Sequence, residues 1–544
     1  MGPVPYWLTM STRREVLAGL GAAAGAAILG CHATGRDRDF MVSGSILGAA
    51  AGRGHLLRDG KISGLAPIAT IQCDTIIVGA GISGLSAAAA LSAASRGDFI
   101  VCELADEPGG NAVGGQNAIS RYPWGAHYVP IADVSDEPLR RLFAQLGIIR
   151  DVRDDGLPIY EETFLCADPD ERLFIQGTWQ DGFLPTVGLH KADLAQNKSF
   201  LEEMKTWRAA VGRDGLPAFS LPLARSSADP EIRALDAISF AALLDRKGYT
   251  STPLRWYLDY CCRDDYGAPA NAVSAWAGLH YFASRRGRAA NASQSDVVTW
   301  PEGNAYLARA LASGLSRRLK TGLLVTRVST AGGKAIVDAF DIGTHTALRM
   351  EAAAAILAVP RHVLSHIAPG FESPGPAAVH VPWVVANITT SGRPAGTGAP
   401  LAWDNVVYGS KLLGYVVADH QTLGMPRDSV VLTYYWPLSD QAPAEARRFA
   451  ERQAHGDWCA HFLAELYQIH PELRGRVENL DAWVWGHGMI CPVPGYCFGD
   501  QSDARRTPRP PIFFAHTDLS GISVFEEAFS LGQVAAADRL RWRG

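Results

Sequence analysis

The chain has 544 residues, of which 47% are apolar and 19% charged, and a formal net charge of −5. A polypeptide of this size without low-complexity tracts buries a large core and divides into two or more intertwined domains. The small net charge and the lack of any Lys/Arg-rich run exclude nucleic acid as an expected partner. Nine cysteines, an odd count with no CxxC or zinc-type spacing, specify neither a disulfide framework nor a zinc site. The adjacent Cys261 and Cys262 are expected to be packed thiols.

Residues 11–31 read STRREVLAGLGAAAGAAILGC. Arg13 and Arg14 precede a weakly apolar Ala/Gly stretch, the pattern of a twin-arginine signal peptide. A short buried helix would not accept two adjacent charges, and Val16–Leu29 falls short of the roughly 20 residues that span a bilayer. Twin-arginine machinery exports proteins already folded around a cofactor, so the expected location is the periplasm or the outer face of the cell membrane. Ile28–Cys31, ILGC, resembles a lipoprotein box, with Leu29 where a smaller residue is usual, and makes Cys31 a candidate lipid anchor. Residues 32–72 form an N-terminal extension.

From Cys73 the sequence runs CDTIIVGAGISGLSAAAALSAASRGDFIVCELADEPGGNA: an apolar strand, a glycine turn, an Ala-rich helix and a second strand ending in an acid. This is a βαβ dinucleotide-binding unit. Gly79 permits the tight turn, Gly81 the approach of backbone to pyrophosphate, and Gly84 close packing of helix on strand, with Ala80, Ile82 and Ser83 completing the loop at the helix N-terminus. Glu103 lies where a carboxylate accepts hydrogen bonds from the adenosine ribose, with Leu104 beside it. A lone GxGxxG is weak evidence; the strand, helix and acid around this one make it strong.

The same turn serves NAD and FAD, and the flanks distinguish them. Gly109, Gly110 and Asn111 follow the second strand, then RYPWGAHYVPI with Gly125 and His127. Residues 512–540 read IFFAHTDLSGISVFEEAFSLGQVAAADRL, a strand, a turn with Asp518 and a helix opening near two glutamates. These segments resemble the flavin amine oxidase and phytoene desaturase superfamily. The resemblance implies FAD, with Asp518 near the ribityl and phosphate region and Glu526 and Ala528 at the helix opening. Glu527 stands where that family usually has glycine. TWPEGNAYLARAL, Thr299 to Leu311, looks like the family's glycine-bearing turn. LLVTRVSTAGGKAIV reads as paired strands with Val328 meeting the adenine, and Ala352–Leu364 resembles the strand returning to the substrate domain. The implied fold is α/β: a Rossmann-type FAD-binding domain built from discontinuous segments (73–150, 299–365 and 491–544) with an inserted mixed α+β substrate domain (a helical part at 151–298 and a sheet at 366–490).

Gly44–Gly60, GSILGAAAGRGHLLRDG, together with GGNAVGGQN, looks like the corresponding stretches of bacterial spermidine dehydrogenases. These are exported flavoenzymes that oxidise polyamines, some of which carry a haem. His55 is therefore either a haem ligand or a surface or capping histidine of an ordered extension. Two features depart from the amine oxidases. The lysine expected in VPWVVANIT is missing, with no lysine between Lys334 and Lys411, and Val524 occupies the place of an aromatic cage wall.

Hydride transfer to a flavin asks the protein for positioning, a dry pocket and control of substrate protonation. The aromatic stretches Trp403–Gln421, Leu432–Leu438 and Trp483–Gly495 are expected to face the flavin. His487 is the candidate polar group beside substrate, a structural histidine being the equal alternative. Asp264 and Asp265, at the end of the first of two helices in Arg255–Phe282, are either a cationic-amine site or helix-end caps and surface ion pairs; Tyr266 and Trp276 are expected in the core. The leading expectation is an exported FAD-dependent oxidoreductase acting on an amine, a polyamine among them, and passing electrons to oxygen or a membrane-side carrier. A desaturase of an apolar isoprenoid-like substrate and a non-catalytic flavoprotein subunit are the alternatives.

Overall fold

The computed structural model describes residues 40–543 except 49, 63, 372–373 and 425–426. The expected signal peptide, with Arg13, Arg14 and Cys31, lies outside the described residues. No helix among them is long and apolar enough to cross a membrane.

The architecture is α/β, with a Rossmann-type unit assembled from distant segments and a mixed α+β part inserted between them. Its first sheet has seven strands. Ala69–Val78 runs parallel to both Phe99–Cys102 and Thr346–Leu357, Ile512–Phe514 adds a further parallel strand, and Leu323–Ala331 with Lys334–Asp341 forms an antiparallel flank. The strand starts at Ala69, four residues before Cys73, because its first half pairs with Leu348–Glu351. The helix Ile82–Ala93 is buried along most of its length, and its small side chains let Phe525–Arg541 pack closely. A Cβ on Gly532 would lie 2.2 Å from Ser83 O, and one on Gly84 would lie 1.9 Å from Gly79 O.

The second sheet has eight strands, with His380–Thr390 near its centre between Val430–Pro437 and Val477–Ile490. Every residue of His380–Thr390 is buried, as expected for a strand covered on both faces. The period of two sorts its side chains. Val381, Trp383 and Val385 join the apolar cluster that also holds Trp485 and Tyr435, whereas Val384, Ala386 and Ile388 face the opposite cluster under the helix His455–Ile469. The helices Thr252–Tyr266 and Ala275–Ala283 pack on the first of these faces. Gly267 ends the former with φ +66° in the left-handed conformation that glycine adopts without strain.

The N-terminal extension is an ordered part of both sheets' surroundings. Ile46–Gly48 extends the eight-stranded sheet parallel to Ala482–Val484, and the helix Ala51–Arg58 crosses to the Rossmann unit. Cys261 and Cys262 are each 1% exposed and unpaired, and burial pushes both thiols well up.

Candidate functional site

A single cavity of about 470 Å³ runs from the glycine turn between the two sheets, within the size range of cofactor and ligand clefts. Two helix N-termini open on it: Gly81, Ile82 and Ser83 from one, Val524, Phe525 and Glu526 from the other. Neither helix has a side-chain cap, so their first-turn amides and dipoles are available to an anion. Gly79 adopts φ +98°, and a Cβ there would strike Ala358 O at 2.5 Å. Gly81 differs: the nearest protein atom to an added Cβ is 3.8 Å away. Protein packing therefore does not demand glycine at that position, and a pyrophosphate passing close to the backbone would.

Glu103 lines the cavity beside the glycine turn. Its carboxylate accepts from Ala80 N at 2.7 Å and Ala105 N at 2.9 Å, and burial raises its pKa against the lowering effect of these bonds. Leu104, Gly109, Gly110 and Asn111 also line the cavity, and the Asn111 side chain donates to Gly488 O, tying this loop to the substrate sheet. Three expected cofactor residues do not line it. Ala80 is 0% exposed and serves through its backbone, donating to Glu103 and accepting from Gly109 N. Gly84 faces the Gly79 carbonyl. Val328 is packed in the sheet core, and Val325 stands on the wall instead. The strand has a register shift between Val325 and Arg327, and both valines pack in the same apolar cluster.

At the other end of the glycine-turn region, Asp518 lines the cavity at 0% exposure. Its carboxylate is already engaged, accepting from His380 Nε2 at 2.9 Å and Arg361 N at 2.7 Å and lying 3.2 Å from His516 Nδ1. Burial would raise its pKa; the His516 charge and the bonds from His380 and His516 outweigh that and hold it well below the usual range. His487 lines the same wall at an exposed rim and stacks on His362 with centroids 4.0 Å apart. Burial, followed by Arg447 and His380, lowers its pKa to about 4, so it is neutral near pH 7. His55 lies on the helix Ala51–Arg58, outside the lining residues. Among the described residues no group of three or more His, Cys, Asp or Glu is arranged to hold a metal ion.

Glu526 and Ala528 line the cavity, as does Val524. Glu527 turns the other way and accepts from Leu223 N at 2.7 Å in a buried setting. Glu527→Gly, the residue the superfamily usually has, would strip that amide of its partner. We expect a loss of about 1–3 kcal/mol in stability in a denaturant titration, with Glu527→Gln recovering part of it.

The end of the cavity toward the eight-stranded sheet is walled by Trp383, Tyr435, Trp485, Tyr128 and His127. Trp383 and Val385 occupy the cavity face of the strand where a lysine was sought, and among the described residues no lysine lines the cavity. His127 stacks on Tyr435 at 4.7 Å, its Nε2 is buried without a partner, and burial lowers its pKa to about 4. Sequence reasoning named His127 only as part of a stretch, and it missed Trp383 and Arg285; strand parity would have found Trp383.

Asp264 and Asp265 also line this end, which corrects the reading of them as surface ion pairs. Asp265 lies 3.4 Å from Arg285, which donates to Tyr128 OH at 2.9 Å. The Asp264 carboxylate makes no hydrogen bond or ion pair with described residues. Burial, and then the neighbouring Asp265 charge, raises its pKa to about 7. Burial also raises Glu526 to about 7. Behind them Asp404 and Glu171 are register partners on parallel strands, and both are raised by burial first and by nearby carboxylates. Among the described residues, Arg285 is the one Arg or Lys lining the cavity. The wall is therefore acidic beyond its internal compensation, and Tyr266 and Trp276 lie in the core at 0% exposure.

Fold and site together give a Rossmann-type α/β protein whose fold is similar to that of solved amine oxidases. The model for an NAD(P)-binding Rossmann-like domain matches residues 77–146. Among solved structures, a putrescine oxidase double mutant shares 20% identity at a TM-score of 0.61, over 87% of this chain and 100% of that one. Cyclohexylamine oxidase from Brevibacterium oxydans shares 18% at 0.59, over 86% and 98%. A fatty acid isomerase from P. acnes shares 14% at 0.57, over 86% and 98%, so the fold by itself also carries chemistry on apolar substrates. No curated protein sequence matches.

Proposed function

We propose that the protein is an exported FAD-dependent oxidoreductase that oxidises a cationic amine, a polyamine above all. The observation that carries the reading is the unbalanced acid wall: Asp264 and Glu526 open on the cavity, Asp404 and Glu171 stand behind them, and Arg285 is the one Arg or Lys among the described residues that line it. An apolar isoprenoid-like substrate would leave these carboxyls without a partner, at a cost that protonation would only partly relieve.

FAD fits the residues present. Gly81 leaves room that a side chain would fill, Glu103 stands at the ribose position, and two helix N-termini face the pyrophosphate path. When bound, it supplies a two-electron acceptor for the substrate C–H bond. The chain's own residues do the rest. Asp264 pairs with a substrate ammonium. Trp383, Tyr435 and Trp485 exclude water and orient the carbon chain. His127 and His487, neutral near pH 7, add no positive charge that would repel the amine. Export rests on Arg13 and Arg14, lipid anchoring on Cys31, and the electron acceptor is oxygen or a membrane-side carrier; cell fractionation with Arg13→Lys/Arg14→Lys tests the first.

The central test is an absorption spectrum of the purified protein followed by anaerobic titration with spermidine, putrescine and a neutral alcohol of equal length. We expect bound oxidised flavin that bleaches with the amines and not with the alcohol. Flavin that stays oxidised with every amine would sink the substrate class, and absence of flavin would sink the cofactor. A Soret band in the same spectrum would bring His55 into the reading as a haem ligand.

A further inference from the structure

The N-terminal extension plays no part in the chemistry above, yet it is pinned at both ends. Leu480 N donates to Ser43 O at 2.8 Å and Ala482 N to Ser45 O at 2.9 Å, Ser45 N donates to Asp481 Oδ1 at 2.9 Å, and Ile46–Gly48 completes the sheet edge. The chain then crosses to the Rossmann unit as the helix Ala51–Arg58. Arg53 donates from Nη1 to Leu104 O at 3.1 Å and Asp106 Oδ1 at 2.8 Å, and from Nη2 to Asp106 Oδ2 at 2.7 Å. Leu56, Leu57 and Ile62 pack with Leu104, Leu324 and Phe340. Leu104 and Leu324 are themselves walls of the cavity at its Glu103 end.

We infer that this extension is a strap that holds the adenosine half of the dinucleotide in place, with Arg53 as the positioning residue that fixes the Glu103–Asp106 loop. This rests on the reading of the cavity as an FAD site. The strap is poorly able to stand alone. Its helix has eight residues, contains Gly52 and Gly54, and has no side-chain N-cap, and helices this short do not persist in water without docking. Its order therefore depends on the contacts it makes over the cavity wall, and undocking it uncovers Leu104 and Leu324 from outside. FAD release then proceeds through the undocked state, at a rate set by how often the strap opens.

Neighbouring residues of the strap act with opposite sign. Arg53→Ala removes the guanidinium from Leu104 O and Asp106. Gly52→Ala adds a methyl group that meets no atom within 4 Å and favours the helix, which is the larger effect wherever the undocked strap is unfolded. The measurement is the rate of FAD release from the reconstituted holoenzyme, followed by the recovery of flavin fluorescence in the presence of an apoprotein trap. Apoprotein melting temperature is recorded for each variant. We expect release several-fold faster in Arg53→Ala and up to about fivefold slower in Gly52→Ala, with apoprotein melting changed little. Release rates equal to that of the parent in both variants, or rates that merely follow apoprotein melting, would overturn the inference. A parent protein that binds no FAD would instead defeat the cofactor reading on which it stands.

Discussion

Asp264→Asn lowers kcat/KM for a diamine or polyamine by about 30-fold to several thousandfold, the range expected when one partner of a desolvated charge pair is removed. The loss falls mainly on KM, because the ammonium is held in ground state and transition state alike. Asp264 makes no hydrogen bond or ion pair with described residues, and it lies beside an Asp265 already matched to Arg285. It carries a pH signature. Burial and the Asp265 charge raise Asp264 to about 7, so in the parent the affinity for a cationic amine strengthens as pH rises through about 7, and in the variant that step is lost. Stability moves in the opposite sense. The folded protein holds a proton that the unfolded chain releases near the ordinary carboxyl pKa, so the penalty is absent below that value, grows as pH rises and is complete above about 7. Asp264→Asn therefore raises the melting temperature more at pH 8 than at pH 5. Steady-state kinetics from pH 5.5 to 8.5 and melting curves at the two extremes check both. An unchanged KM with an unchanged pH profile would remove the acid wall from substrate binding.

Much of the cofactor end is local in the chain, and for that reason it was legible. Gly79, Gly81, the acid Glu103 and the pair Gly109–Gly110 follow from one βαβ unit, and the structure places them within one stretch of cavity. Val328 marks a limit: it and Val325 pack in one apolar cluster, and nothing in an apolar run distinguishes the valine that lines the cavity, Val325. The substrate end depends on contacts distant in sequence. Asp264 and Asp265 precede a left-handed glycine, the same pattern as an exposed helix end, and only the fold sets them against Arg285, Tyr128 and the cavity. His127 meets Tyr435 across more than half the chain. The Glu527 departure was visible, but its partner Leu223 N was not, because that contact joins a helix to a short helical turn 304 residues away that no periodicity relates to it.

Gly81→Ala and Gly84→Ala separate two reasons for a glycine within the same turn. At position 84 the new Cβ would sit 1.9 Å from Gly79 O and 3.3 Å from the Ala358 side chain, with backbone that cannot step aside. The helix Ile82–Ala93 must then lift from its strand and from Gly532, whose own added Cβ would stand 2.2 Å from Ser83 O. We expect a protein that is destabilised by several kcal/mol, as overpacked or displaced cores are, and recovered poorly in folded form. At position 81 the nearest protein atom is 3.8 Å from the new Cβ and the backbone φ is −70°, a value any residue adopts. Gly81→Ala should therefore fold and melt as the parent apoprotein does, while its methyl group occupies the path of the pyrophosphate across the helix N-terminus. FAD affinity should fall at least tenfold, read by flavin content after gel filtration and by fluorescence titration. Wild-type FAD affinity in a folded Gly81→Ala protein would mean that no phosphate passes over this turn, and the dinucleotide site would have to lie elsewhere in the cavity.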